Sequence, residues 1–134
     1  MMEQKKRTNP FRKYLGLKNF GSRNGVSEVR IDIFSDLLNF SGNVHGGVIA
    51  SLVDMSIGNA VHPNLNKNQY STTVELKLNY LKPLTGTEII AKSYLLHKGK
   101  TLLVGKSDIF NDKGQLVATG SATFMILNKE NSKS

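Results

Sequence analysis

Between residues 46 and 61 the chain reads as a helix that is apolar on almost every side, and this constrains the fold more than any other feature. Val48, Ile49, Leu52, Val53, Met55, Ile57, Ala60 and Val61 cover nearly the whole circumference at helical spacing. A helix apolar all round is buried on most sides, so the rest of the chain has to supply a wrapping. The helix ends near His62-Pro63-Asn64, because proline biases its predecessor away from the helical conformation. A membrane span needs about 18 uninterrupted apolar residues; Val48–Val61 is shorter and is broken by Asp54 and Asn59.

The wrapping is legible on both sides of this helix. Ahead of it, Val26–Phe34 alternates, with Val29, Ile31 and Ile33 on one side, as a half-buried strand does. Behind it the period switches to two. Thr73–Leu81 sends Val74, Leu76, Leu78 and Tyr80 one way and Glu75, Lys77 and Asn79 the other. Glu88–His97, Thr101–Phe110 and Gln115–Leu127 follow as strands, separated by Lys98-Gly99 and Asn111-Asp112-Lys113-Gly114 turns. One buried helix with an antiparallel sheet around it is a two-layer α+β arrangement. On the last strand Ala118, Gly120 and Ala122 share one face and are all small, so a helix or a ligand can lie close against the sheet there. Residues 39–43 read as a loop, and Pro10 opens a short amphipathic helix carrying Phe11, Tyr14, Leu15 and Lys18.

At 134 residues there is room for one domain. We expect a basic tail with a short helix over 1–23, the domain over 24–127 and a polar tail over 128–134. Residues 1–23 hold seven Lys/Arg against Glu3, a charge of +6, while the remainder carries only +2. That tail lacks the aromatic–basic alternation of a single-strand binder and is too short for a helix-turn-helix, so no nucleic-acid partner is expected. No apolar segment follows the N-terminal charges, so neither a secretory signal nor a membrane span is expected. The absence of cysteine excludes disulfides, thiolate metal sites and a cysteine nucleophile, and fits a cytoplasmic protein. No metal or cofactor is called for.

Chemistry concentrates at the start of the central helix. Gly46-Gly47 open it, leaving backbone N–H groups unpaired and unobstructed by side chains. Such donors, with the helix dipole behind them, suit a polarised carbonyl or an oxyanion. Asp54 lies between Val53 and Met55, where an uncompensated carboxylate is costly and needs partners or a task. Gly47, Ala50/Ser51, Asp54 and Gly58 form a small-residue stripe at i, i+3/i+4 spacing. Taken singly, each feature has a simpler account: a tight turn into the helix, an acid bonded to Ser51 or crossing a subunit interface, close helix packing, and His45 as a mere cap. Their conjunction sets an active site beside those simpler accounts.

The set Asn39, His45-Gly46-Gly47, Ser51-Leu52 and Asp54 resembles the signature of the hotdog-fold acyl-CoA thioesterases of the phenylacetyl-CoA thioesterase-like (PaaI-like) group, within the 4-hydroxybenzoyl-CoA thioesterase superfamily. The spacings are six residues from Asn39 to His45 and nine from His45 to Asp54. Thr73–Pro83 and Gly99-Lys100-Thr101-Leu102 resemble the strands that follow in that family, so the likeness runs from about Val26 to Leu127.

The resemblance implies a sheet wrapped around the central helix, dimers that often pair into tetramers, and sites at the subunit interface. By the same likeness Gly46 N–H would polarise the thioester carbonyl, and Asp54 would attack it or activate a water. Asn39 and His45 would orient nucleophile and thioester, and Thr73, where the family often has Ser, would position the water. Gly47, Tyr80, Leu81, Lys82 and Pro83 together with His97, Lys98, Gly99, Lys100 and Thr101 would line the coenzyme A path, with Lys82, Lys98 and Lys100 suited to its phosphates. A thioester is already activated, so a carboxylate and an oxyanion donor can suffice without a triad. Two other functions remain open on this fold. One is a non-catalytic acyl-CoA sensor; the other is a hydratase or dehydratase, which would place a Pro-rich loop rather than two glycines after the His.

Overall fold

A computed structural model describes residues 9–130. It contains a short helix α1 (Pro10–Leu15), strands β1 (Lys18–Arg23) and β2 (Val26–Asp32), the central helix α2 (Gly46–Val61), and strands β3 (Gln69–Tyr80), β4 (Glu88–Lys98), β5 (Leu102–Phe110) and β6 (Leu116–Asn128). All strand pairs are antiparallel, in the order β1-β2-β4-β5-β6-β3. The sheet curls around α2, which touches β2 through β6. This is the hotdog fold.

α2 spans the residues that the apolar pattern marks. Its Ile49, Leu52, Val53, Ile57 and Val61 are buried against Val29, Ile31, Ile89, Ala91, Leu103, Ile109 and Val117 from the sheet. Burying one such side chain is worth roughly 1.5–3 kcal/mol, so this one interface is the main source of cohesion. Two glycines set how near the layers come. A Cβ on Gly105 would stand 2.6 Å from the Ile57 Cγ2, and one on Gly120 would stand 3.0 Å from Val53 Cγ1 and 2.7 Å from the Lys77 carbonyl oxygen. The small face Ala118, Gly120, Ala122 is buried, as its composition predicts. Buried serines fix the angle of contact: Ser56 and Ser107 share a 2.7 Å hydroxyl bond, and Ser93 Oγ donates to the Ser56 carbonyl at 2.8 Å.

Strand β1 is not foreseen by the periodicity. Lys18–Arg23 is exposed throughout and has no apolar alternation to announce it. The signal lies instead in Asn24-Gly25, whose φ values of 53° and 80° form the two-residue turn joining β1 to β2. The N-terminal segment is therefore tied to the body from Asn9 onward. Asn9 caps α1 by accepting from the Phe11 and Arg12 N–H groups, and Leu15 is buried in the core. Asn19 then exchanges amide hydrogen bonds with Asn59 on α2. Lys5, Lys6 and Arg7 of the basic tail lie outside the described residues.

We predict that Gly120→Ala destabilises the protein by about 1–3 kcal/mol, the usual cost of overpacking. It should lower the urea midpoint without changing the slope. Ser121→Ala on the neighbouring position should stay within about 0.5 kcal/mol, as surface changes do.

Candidate active site

His45 is the N-cap of α2. Its Nδ1 accepts the Gly47 N–H at 2.8 Å, which leaves the ring proton on the outward Nε2. The next two free amides of the helix are taken by the His45 carbonyl, through Val48 at 2.9 Å and Ile49 at 3.4 Å. Gly46 N–H donates to nothing among the described residues. Its carbonyl, in contrast, accepts from Tyr80 Oη at 2.7 Å. A side chain at position 46 would meet that tyrosine hydroxyl at 3.2 Å, and one at position 47 would meet His45 Nδ1 at 3.1 Å. The paired glycines thus follow from the crowding of His45 and Tyr80 onto the helix start.

Asn39 sits in the loop before the helix. Its Oδ1 accepts from Ser41 and Asn43 N–H at 2.9 and 3.1 Å, so its carbonyl end shapes the loop, and its amide nitrogen makes no hydrogen bond among the described residues. Asn39, Gly46, Tyr80, Leu81, Lys82 and Pro83 line one groove of about 360 Å³. Leu81 and Lys82 are held there by hydrogen bonds from their N–H groups to the Val117 carbonyl.

Asp54 is half-buried and accepts a 2.7 Å hydrogen bond from Thr73 Oγ1. Ser51 is not its partner, since that hydroxyl donates to the Gly47 carbonyl at 2.8 Å. The Thr73 contact corrects the alternation read from the sequence. Strict period two puts Thr73 with Glu75, Lys77 and Asn79, away from Tyr80. In the sheet, however, Thr73 pairs with Phe124 and Glu75 with Thr123, so Val74 is an extra, unpaired residue. This β-bulge shifts the phase by one, and Thr73 and Tyr80 both reach α2 although they stand an odd number of positions apart.

Within one chain the expected site falls into two halves. Gly46 and Asp54 are eight residues apart on one helix, hence about 12 Å along its axis. The sheet repeats the division. Lys98, Leu103, Phe124 and Thr73 form one row across the strands, and Ala91, Ile109, Ala118 and Tyr80 another. The turn from His97 to Thr101 therefore lies at the Asp54 end, and Tyr80–Pro83 at the Gly46 end. Gly99 closes that turn by donating to the Leu102 carbonyl at 2.8 Å, with the His97 ring 2.9 Å from where a Cβ would stand. Lys82, Lys98, Lys100 and Thr101 are all exposed. A second groove, about 470 Å³, contains Asp54 and also Met55, Gly58, His62 and Phe124, with Arg12 from α1. Arg12 and His62 carry no sequence signal of this placement; only the path of the N-terminal segment brings Arg12 here. No helix of the described residues is long and apolar enough to cross a membrane.

Residues 41–118, which hold the helix start, Asp54, Thr73 and Tyr80–Pro83, match the model of the thioesterase superfamily. The chain belongs to this superfamily. It is 28% identical to the medium/long-chain acyl-CoA thioesterase YigI of Escherichia coli over 62% of each chain. A Bacillus halodurans protein solved with CoA superposes with a TM-score of 0.86 at 29% identity, covering 94% of this chain and 83% of that one. A Haemophilus influenzae thioesterase has the same fold, with a TM-score of 0.86 at 18% identity over 92% and 87% of the two chains. Thioester hydrolysis is the activity that this membership carries.

The cap geometry gives a test of His45 separate from any chemistry. His45→Ala should cost about 1 kcal/mol of stability, in the range for a lost N-cap. His45→Asn, whose Oδ1 can accept the same Gly47 N–H, should restore most of it in urea denaturation.

Proposed function

We propose that the protein hydrolyses acyl-CoA thioesters at sites built by two copies of the chain. The observation that carries this reading is the separation of about 12 Å along the helix axis between Gly46, with its unpaired N–H, and Asp54. One subunit cannot apply both to a single carbonyl carbon, so the complementary half comes from a neighbour. β3 supplies the means. It is a twelve-residue edge strand with one hydrogen-bonding edge free, and Tyr70, Val74 and Leu76 on it are 47%, 51% and 39% exposed. An edge of this kind is a template for pairing. Two β3 strands paired antiparallel about a two-fold axis near Leu76 bring the Thr73 end of each beside the Tyr80 end of the other. The Asp54 half of one subunit then faces the Gly46 half of its partner, twice per dimer. Further pairing into a tetramer is compatible with this unit.

In that site the thioester oxygen accepts the hydrogen bond of the neighbouring Gly46 N–H, strengthened by the α2 dipole as negative charge develops. Asp54, with Oδ1 held by Thr73, presents Oδ2 to the carbonyl carbon or to a water. The thiolate of coenzyme A departs, and water completes the release of the acid. His45 Nε2–H and the Asn39 amide are the donors left over by the cap and loop hydrogen bonds, and orient thioester and water. Tyr80–Pro83 from one side and His97–Thr101 from the other guide the coenzyme, with Lys82, Lys98 and Lys100 meeting its phosphates.

Purified protein should release free thiol from at least one member of an acyl-CoA panel, and Asp54→Asn should lower kcat by about a hundredfold to ten-thousandfold while the melting temperature is retained. No thiol release above background from the whole panel would falsify the enzyme reading. The shared site has its own test. Asp54→Asn and Gly46→Val subunits, each inactive alone, are mixed, unfolded and refolded together. Half the dimers then contain both variants, each with one intact site, and activity should return to about a quarter of the wild-type value. Failure to recover activity in dimers shown to be mixed overturns the shared site.

A further inference from the structure

We infer that the acyl groups taken by this protein end in a carboxylate, received by Arg12. The inference rests on the thioesterase reading of Asp54 and concerns the groove that runs away from it. Along α2, Asp54, Gly58 and His62 are spaced four residues apart, so they follow one another down one side of the helix for about 12 Å. Gly58 leaves the middle of that track open: a Cβ there would only touch the Phe124 ring at 3.5 Å. Met55 and Phe124 make an apolar stretch suited to methylene groups.

The rest of the lining has a different chemistry. Its polar members besides Asp54 are Asn9, Arg12, Asn59 and His62. Two of these have side chains with hydrogen-bond partners in the protein. Asn9 Oδ1 caps α1, and Asn59 is bound to Asn19 and Ser27. Arg12 and His62 are different. Among the described residues the Arg12 guanidinium forms no ion pair and its side chain no hydrogen bond, and the His62 ring makes none. Arg12 is also half-buried, although it lies in a short surface helix. A groove meant for a plain alkyl chain would be lined with apolar side chains to its end. Here the terminus of an acyl chain meets a planar five-donor cation, whose geometry matches a carboxylate.

The experiment compares pairs of substrates equal in carbon count and different only at the far end: adipyl-CoA against hexanoyl-CoA, and suberyl-CoA against octanoyl-CoA. The wild-type protein should favour the carboxylated member of at least one pair by roughly tenfold or more in kcat/KM, the scale of one charge-assisted hydrogen bond. Arg12→Gln should collapse that ratio towards one, mainly through KM for the carboxylated substrate, and Arg12→Lys should keep part of it. Equal or faster hydrolysis of both plain acyl-CoAs by the wild-type protein overturns the proposal and leaves the thioesterase reading standing. A ratio that survives Arg12→Gln overturns the role of Arg12. If none of the four thioesters is hydrolysed while another acyl-CoA is, the proposal falls alone; if no acyl-CoA is hydrolysed, it falls together with the reading of Asp54.

Discussion

The close seating of α2 in the curled sheet is the contact on which the rest of the structure depends. Five large side chains of the helix are buried on it, and Gly105 and Gly120 bring the layers nearer than any side chain would permit. The Ser56–Ser107 and Ser93–Ser56 hydrogen bonds add direction to an otherwise non-directional apolar contact. A helix held in this way has a fixed rotation and a fixed height. That is what turns the chance of a free N–H at Gly46 and a carboxylate at Asp54 into defined positions.

The same seating explains why the two functional groups are kept apart. They belong to one rigid helix, so no local rearrangement can bring them together, and the proposed joint action of this pair depends on a second copy of the chain. In the proposed dimer a two-fold axis near the middle of β3 exchanges the ends of the strand, and each end carries a half site. On that proposal the free edge of β3 and the divided site are two aspects of one design. In a monomer both would be liabilities, the first for aggregation and the second for activity.

Crowding at the helix start also gives its residues more than one duty. His45 spends Nδ1 on the cap, Asn39 spends its carbonyl on the loop, and Tyr80 spends its hydroxyl on the Gly46 carbonyl. Asn39 and Tyr80 line the groove, and His45 beside them keeps its Nε2–H. Groups anchored through one atom lose little further freedom when the other meets a ligand, which is the physical meaning of a preorganised site.

Much of this was legible in the sequence. The limits of α2, the four strands after it, the small face of β6 and the candidate acid follow from periodicity and from the misfit of Asp54 in an apolar helix. β1 was hidden because an exposed edge strand has no buried face to impose a pattern, and only Asn24-Gly25 betrayed it. Three things were decided by tertiary structure alone. The bulge at Val74 reverses the phase of β3 and delivers Thr73 to Asp54, since a single unpaired residue is invisible to a period-two count. The path of α1 and β1 carries Arg12 into the Asp54 groove from far along the chain. The two turns of α2 between Gly46 and Asp54 divide the motif in space. Periodicity records which face a residue takes on its own element; the distances between residues of different elements are set by how those elements pack.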